Sequence, residues 1–195
     1  MNKIAEADLP TRFGQFRIYA FEGLRQSGTE EAVVLRIGEL NAGGAPPLVR
    51  IHSQCLTGDV FHSLRCDCRS QLELALDLIV GEYRGLLIYE NQEGRGIGLM
   101  NKIRAYELQD HGLDTVEANE RLGFKADLRD YALPAAILSY FGVKSVRLLS
   151  NNPEKVAALE KDGIAVAERT PIIVPALDTT VGYLRTKREK LGHLF

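Results

Sequence analysis

The sequence predicts an α/β fold, with one mixed β-sheet carrying helices on both faces and antiparallel strands at its N-terminal end. Three observations point there. The first fifty residues run in alternating or β-branched apolar segments, the rest alternates strand and helix patterns separated by glycines, and no internal repeat or low-complexity linker divides the 195 residues. A single domain over 1–195 follows. In order, RFGQFRIYAFEG alternates, EAVVLRIGEL is β-branched and apolar, and LVRIHS follows a Pro46-Pro47 entry. Antiparallel pairing is the expectation for these segments. In QLELALDLIVGEY, Leu72, Ala75, Leu76 and Ile79 recur at helical spacing, and Gly85 then releases the chain into the short strand LLIY at 86–89. A glycine-rich loop leads to a helix near 98–111, stopped by Gly112, and YALPAAILSYFG ends at Gly142 before the strand VRLLS. NNPEKVAALEKDG places Asn152 as N-cap, Pro153 at the first helical position and Gly163 just past the end. The strand IAVAE and a charged helix from about 179 to 192 complete the chain.

Composition narrows the class. Hydrophobic residues make up 45%, charged residues 26%, and the net charge is −2, which gives no sign of a general nucleic-acid or membrane surface. MNKIAEADLP lacks the apolar core of a signal peptide, and no apolar run nears the roughly 20 residues that span a bilayer. Three cysteines, an odd number, argue against a disulfide framework, so a reducing cytoplasm is expected.

Those cysteines, Cys55, Cys66 and Cys68, fall within CLTGDVFHSLRCDC. Three thiolates at C-x10-C-x-C spacing supply three ligands to a tetrahedral Zn²⁺ and leave a position for water, the arrangement of a catalytic site. The alternatives are three buried free thiols, or a closed structural site with His62 as fourth ligand. NQEGRGIG follows a strand and opens a helix, so backbone N–H groups there can meet an anion, although it matches neither a Walker loop nor a G-x-G-x-x-G fingerprint and an ordinary glycine-rich turn is the alternative. Within it, the Glu93 carboxylate can accept both N–H groups of a guanine edge, and the Arg95 fork matches phosphate. LLSNNPEK gathers Ser150, a helix N-terminus and Lys155, either as an anion site or as an ordinary cap beside a lysine. In FKADLRDY, Asp127 and Arg129 form either a salt-bridged loop or a general base beside a phosphate-binding cation.

Together RIHSQCLTGDVFHSLRCDC, NQEGRGIGLMNKIRAYELQD, DTVEANERLGF, DLRDY and LLSNNPEK resemble GTP cyclohydrolase II in order and spacing, over residues 3–194. The resemblance implies the first committed step of riboflavin biosynthesis. In that step a zinc enzyme opens the imidazole ring of GTP and releases formate and pyrophosphate, leaving a diaminopyrimidinone ribosylamino phosphate. It implies Cys55, Cys66 and Cys68 as zinc ligands, Asp127 as proton acceptor, Arg129 as nucleophile toward the α-phosphate, and Tyr106 near the purine; because a guanidinium stays protonated, Arg129 as a stabiliser of charge on that phosphate is the alternative. It places Arg50, Ile51, His52, Ser53, Gln54, Gln71, Glu93, Gly94, Arg95, Thr115, Ser150 and Lys155 against the nucleotide. Mg²⁺ on the triphosphate and a homodimer are implied too. Gln54 stands where many relatives have glutamate, Ser150 where many have threonine, and Glu90-Asn91 where other polar pairs are common. No dihydroxybutanone-phosphate synthase segment precedes these motifs, so a monofunctional form is expected. Two other readings are a GTP sensor without turnover, for which the acid–arginine pair of DLRDY has no use, and a cyclohydrolase that stops at a formamide, against which Tyr106 argues.

Overall fold

The computed structural model describes residues 1–25 and 28–194. Residues 26, 27 and 195 of the expected domain lie outside that set. Seven strands form one mixed sheet: β1 (Asn2–Pro10), β2 (Gln15–Arg25), β3 (Gly28–Ile37), β4 (Leu48–Ser53), β5 (Gly85–Glu90), β6 (Ser145–Leu149) and β7 (Ala165–Thr170). Their spatial order is β1-β2-β3-β5-β4-β6-β7. β2 and β3 pair antiparallel, as the sequence predicts; β1, which the sequence reading does not identify, adds antiparallel to β2, and β3 continues antiparallel onto β5.

LVRIHS departs from the expected antiparallel group. It forms β4, which runs parallel to β5 on one side and to β6 on the other. The reason lies in its side chains: Leu48, Val49, Arg50, Ile51 and His52 are all buried, so this is a two-faced central strand. Strand β1 escapes the alternation rule for the opposite cause. Nearly every residue in it is exposed, so no apolar period marks it, and it holds the sheet edge with charges such as Glu6 and Asp8, which pair with Arg17 at 2.9 and 3.0 Å.

Seven helices accompany the strands among the described residues: α1 (Leu56–Asp59), α2 (Cys68–Gly81), α3 (Leu99–Asp110), α4 (Thr115–Arg121), α5 (Ala132–Tyr140), α6 (Pro153–Lys161) and α7 (Val181–Leu191). On one face of the sheet Val49, Ile51, Leu86 and Ile88 pack with Leu133, Ile137 and Leu138 of α5 and Leu159 of α6. On the other, Leu48 and Leu87 pack with Ala75, Leu76 and Ile79 of α2. The period-two alternation of β4 and β5 thus feeds two cores at once. As expected, the Asn152 side chain caps α6, accepting from the Glu154 N–H at 3.0 Å. α4 has its own start signal in Asp114-x-x-Glu117, a reciprocal capping box that the sequence contains but that its short span hides. No helix is long and apolar enough to cross a membrane among the described residues.

The sheet reverses direction of growth at β4, since the chain passes from β4 to β5 on one side and then to β6 and β7 on the other. Crevices form outside the carboxyl ends of parallel strands at such a switch point. Close strand approach makes this geometry exacting: a Cβ on Gly85 would stand 2.4 Å from the Leu48 carbonyl oxygen. Gly85→Ala is expected to cost about 1–3 kcal/mol through overpacking, read as a lower urea midpoint with an unchanged slope. An unchanged midpoint would show that β4 and β5 can separate freely.

Candidate active site

The cavity opens where the switch point predicts, with a volume of about 610 Å³. At one end stand the thiols. Cys55 follows β4, Cys66 lies in the loop after α1, and Cys68 begins α2. Their sulfurs lie within 4.8 Å of one another, and Cys55 Sγ is 3.7 Å from Cys66 Sγ. Two sulfurs bound to one zinc in tetrahedral array stand about 3.8 Å apart. His62 is exposed, has a φ of 56°, and is not part of this cluster.

The electrostatics of the trio fit a divalent cation. Hydrogen bonds from Cys66 and Cys68, with the nearby Lys102 charge, hold the Cys55 thiol far below its ordinary pKa. The contact with Cys55 pushes Cys66 up to about 11, and contacts with Cys55 and Cys66 push Cys68 well above its ordinary value. By themselves the three sulfurs support one negative charge, and a metal would let all three ionise. Space is reserved as well. A Cβ on Gly58 would stand 3.0 Å from Cys66 Sγ and 3.1 Å from Cys55 Sγ.

Lys102 is the residue that motif reading passes over. Buried on α3, its ammonium donates to Cys55 Sγ at 3.1 Å and to Glu93 Oε1 at 2.7 Å. Tyr106 sits one turn further along α3, with its hydroxyl 3.1 Å from Thr57 Oγ1. The signal available in the sequence was the helical spacing of Lys102, Ala105 and Tyr106, which puts them on one face. Glu93 is buried and accepts three hydrogen bonds, from Lys102, from Leu56 N at 2.7 Å and from Gly94 N at 2.9 Å. Of roughly four acceptor positions on a carboxylate, about one is left for a guanine edge.

His52 and Asp59 fix the loop that presents Cys55. His52 Nε2 lies 3.2 Å from both Asp59 oxygens, Tyr89 donates its hydroxyl to Asp59 at 2.8 Å, and Cys55 N donates to Asp59 at 3.0 Å. Burial lowers the His52 pKa, so the ring is a neutral donor to Asp59. Arg50, which burial lowers to about 10, donates to the Leu149 carbonyl at 3.0 Å and to Gln71 Oε1 at 2.9 Å. Gln71 in turn donates to Asp67 at 2.5 Å.

At the other end the residues are cationic. Gly94 and Arg95 both have φ of 62°, a left-handed turn that is costly for arginine and that turns the Arg95 fork inward. Arg95 NH1 and NH2 are buried without a hydrogen-bond partner among the described residues. Arg129 binds Asp127 through Nε at 3.0 Å and NH2 at 2.5 Å. Burial works against the Asp127 charge, but the hydrogen bond and charge of Arg129 outweigh it and hold the carboxyl below its usual range. Arg129 is likewise held charged, with Tyr131 and Asp127 outweighing burial. Lys155 donates to the Ile51 carbonyl at 2.7 Å, and burial plus the charges of Arg50 and Arg129 lowers its pKa well below the ordinary value.

The structure gathers most of the expected residues on one cavity: Arg50, His52, Ser53, Gln54, Gln71, Glu93, Gly94, Arg95, Tyr106, Thr115, Arg129, Ser150, Lys155 and the three cysteines. Two stand apart. The Ile51 side chain is in the core, fully buried, so only its backbone faces this region. Asp127 sits behind Arg129 and does not line the cavity. Ser150 Oγ is engaged locally, accepting from Asn152 N at 3.1 Å.

The profile of the family described as GTP cyclohydrolase II matches residues 2–171. The chain is 56% identical over 191 residues to GTP cyclohydrolase-2 of Pseudomonas syringae pv. tomato, covering 98% of this chain and 92% of that protein. It is 53% identical over 194 residues to GTP cyclohydrolase-2 of Proteus mirabilis, covering 100% and 96%. Riboflavin biosynthesis protein RibBA of Synechocystis sp. is 50% identical over 186 residues, and the chain spans 33% of its length. A solved structure of RibBX, a two domain 3,4-dihydroxy-2-butanone 4-phosphate synthase from A. baumannii, shares the fold over 89% of this chain and 40% of that one, with a TM-score of 0.50 and 16% identity.

Gly58→Ala tests the space reserved for the thiol cluster. Metal analysis of the purified variant is expected to show much less zinc than the wild type while circular dichroism stays the same. Full zinc content in that variant would remove the cluster as the metal site.

Proposed function

The chain belongs to the GTP cyclohydrolase II family and hydrolyses GTP in riboflavin biosynthesis, and from that premise we propose how its residues divide the work. The single observation that carries the proposal is one cavity with a thiol cluster at one end and buried cations at the other. The guanine end of GTP lies toward the thiols and the triphosphate toward Arg95, Arg129 and Lys155. Cys55, Cys66 and Cys68 would hold Zn²⁺. When bound, zinc supplies a Lewis acid and lowers the pKa of water for attack on the purine ring. The products under this reading are formate, pyrophosphate and the diaminopyrimidinone ribosylamino phosphate.

The chain's own residues then do the following. Lys102 neutralises Cys55 and fixes Glu93, which keeps its remaining acceptor position for the guanine edge. Tyr106, held by Thr57, flanks the purine and offers a hydroxyl proton near the reacting ring. Arg129 is a charged fork oriented by Asp127, which suits it to stabilise charge on the α-phosphate rather than to attack it, because a protonated guanidinium has no nucleophilic lone pair. Asp127, ion-paired and with its pKa depressed, acts by aiming that fork and is a weak base. Arg95 and Lys155 take the outer phosphates, with Ser150 beside them. Mg²⁺ on the triphosphate suits its hard oxygens, and a cytoplasmic homodimer completes the proposal as the sequence resemblance implies. Residues 1–195 acting as one domain is supported by a sheet that runs unbroken from β1 to β7.

Incubation with GTP and Mg²⁺, followed by mass spectrometry of all products, is expected to give formate and pyrophosphate in equal amounts. Cys66→Ser should lose zinc and formate release together. A formamide product that persists would identify a cyclohydrolase that stops one step earlier, and unaltered GTP would identify a sensor.

Arg129→Lys separates the two roles of that residue. Lysine keeps the charge and loses the planar fork, so pyrophosphate release should fall but stay about 10-fold or more above Arg129→Ala. Equal loss in both variants would favour the covalent role for the guanidinium.

A further inference from the structure

Helix α6 begins at the cavity, and its capping residue is only half used by the helix. Asn152, 3% exposed, lines the cavity and accepts the Glu154 N–H through Oδ1 at 3.0 Å. That bond fixes which way round the amide sits, because the reversed orientation would set two donors against each other. Nδ2 is therefore the end that the cap does not use, and it is buried without a hydrogen-bond partner among the described residues. Capping alone does not account for an amide here. Serine or aspartate would accept the same N–H and bring no N–H₂ group to satisfy. A buried donor left unmatched is unfavourable, so asparagine is the costly choice unless something else takes its protons. The neighbouring hydroxyl does not. Ser150 Oγ accepts from Asn152 N at 3.1 Å and lies 3.3 Å from the Asn152 carbonyl oxygen, so it closes the turn on the backbone side.

The surroundings say what the missing acceptor is. Lys155, in the first turn of the same helix, is buried and lines the cavity. The N-terminus of α6 adds the positive end of its dipole. Glu154, the acid in that turn, is exposed. On the same cavity Arg95 has both terminal nitrogens buried without an acceptor among the described residues. Arg50 Nε is unmatched too, but the other two nitrogens of that guanidinium are engaged by Leu149 and Gln71. A helix end, an ammonium and an open fork together call for an anion rich in oxygen acceptors. A ribose hydroxyl could take the amide proton but would leave the charge unanswered. A neutral donor also suits this place, because burial and the charges of Arg50 and Arg129 already depress Lys155, and a further cation would add to that repulsion.

We propose that the side-chain amide of Asn152 is a phosphate ligand, with Nδ2 donating to an oxygen of the outer phosphates and completing the site that Lys155 and Arg95 begin. Asn152 then has two separable duties: Oδ1 holds the helix and Nδ2 holds the ligand. The proposal rests on the GTP assignment of the cavity.

The test uses the full-length protein, with inorganic pyrophosphate and guanosine as separate probes in titration calorimetry. Two variants keep the cap and lose the amide. Asn152→Ser adds no charge and caps with a side chain too short to carry a second group beyond it. It should weaken pyrophosphate binding about 10-fold, the scale of one hydrogen bond to a charged group, with guanosine affinity and urea midpoint unchanged. Asn152→Asp keeps the shape of the side chain as well. Its deficit relative to wild type should persist at high salt, where an effect of charge through space would be screened. Normal pyrophosphate affinity in Asn152→Ser, equal weakening of both probes, or an Asn152→Asp deficit that vanishes with salt overturns the contact. A wild type that releases formate from GTP while Asn152→Ser binds pyrophosphate normally refutes this proposal alone. Selective loss of pyrophosphate in Asn152→Ser, in a protein whose wild type never opens GTP, upholds the amide contact and refutes the ring-opening chemistry alone.

Discussion

A guanidinium buried in the middle of a sheet must find acceptors, and Arg50 in β4 finds one in the Leu149 carbonyl and one in Gln71. That demand propagates. Gln71 has its oxygen taken by Arg50 and gives its amide to Asp67, which in turn binds Lys187. Through this relay the central strand, the first turn of α2 and the C-terminal helix are held in one geometry, and the thiols on either side of Asp67 are held with them. Removing Lys187 would leave the Asp67 carboxylate buried without its cation, the most destabilising way to alter such a network. The hydrophobic clusters above and below the sheet supply the bulk of the folding energy, but they fix no angles at the site. The polar relay does.

The same requirement explains why the cavity has two ends of opposite character. Near the thiols, negative charge accumulates and Lys102 answers it. Near Arg95, Arg129 and Lys155, positive charge accumulates, and among these Arg129 is answered by Asp127 while the Arg95 fork is left open among the described residues. Burial first, and neighbouring positive charges second, depress both Lys155 and His193. Nucleotide triphosphate is the complementary shape for such a field: a planar ring with polar edges at one end and several negative charges at the other. Binding and folding therefore share one electrostatic account, in which the ligand supplies charge that the chain lacks.

How far the sequence revealed this depends on whether a residue's role is local. Helix α6 was legible because Asn152, Pro153 and Gly163 act within one helix, and the thiol cluster because its three residues are close along the chain. The parallel placement of β4 was not legible, since Leu48 to His52 reads as a strand whichever neighbour it takes, and only the burial of both faces decides. Strand β1 was invisible because an exposed edge has no apolar period to show. Lys102 escaped notice for a different reason: a lysine on a helix is ordinarily solvated, and nothing within NKIRAYELQD says that Cys55, which is 47 positions earlier, will stand beside it. Asp127 and Arg129 were legible as a pair but not in their order of depth, which the fold sets by placing the acid behind the base.

The two ends are also joined through the backbone. Glu93 belongs to the thiol end through Lys102, and Arg95, two residues on, belongs to the phosphate end. Between them Gly94 and Arg95 hold successive left-handed conformations, an arrangement with little freedom to relax. The turn is pinned from outside as well: Leu128 N donates to the Arg95 carbonyl at 3.1 Å, and a Cβ on Gly96 would stand 3.1 Å from the Leu128 side chain. Leu128 lies between Asp127 and Arg129, so the loop carrying Arg129 is registered directly against the turn that carries Glu93. A shift of Glu93 would have to move Arg95, and with it Leu128 and Arg129. The thiol cluster and the cationic residues are built from different side chains, but the geometry lets neither set move without the other.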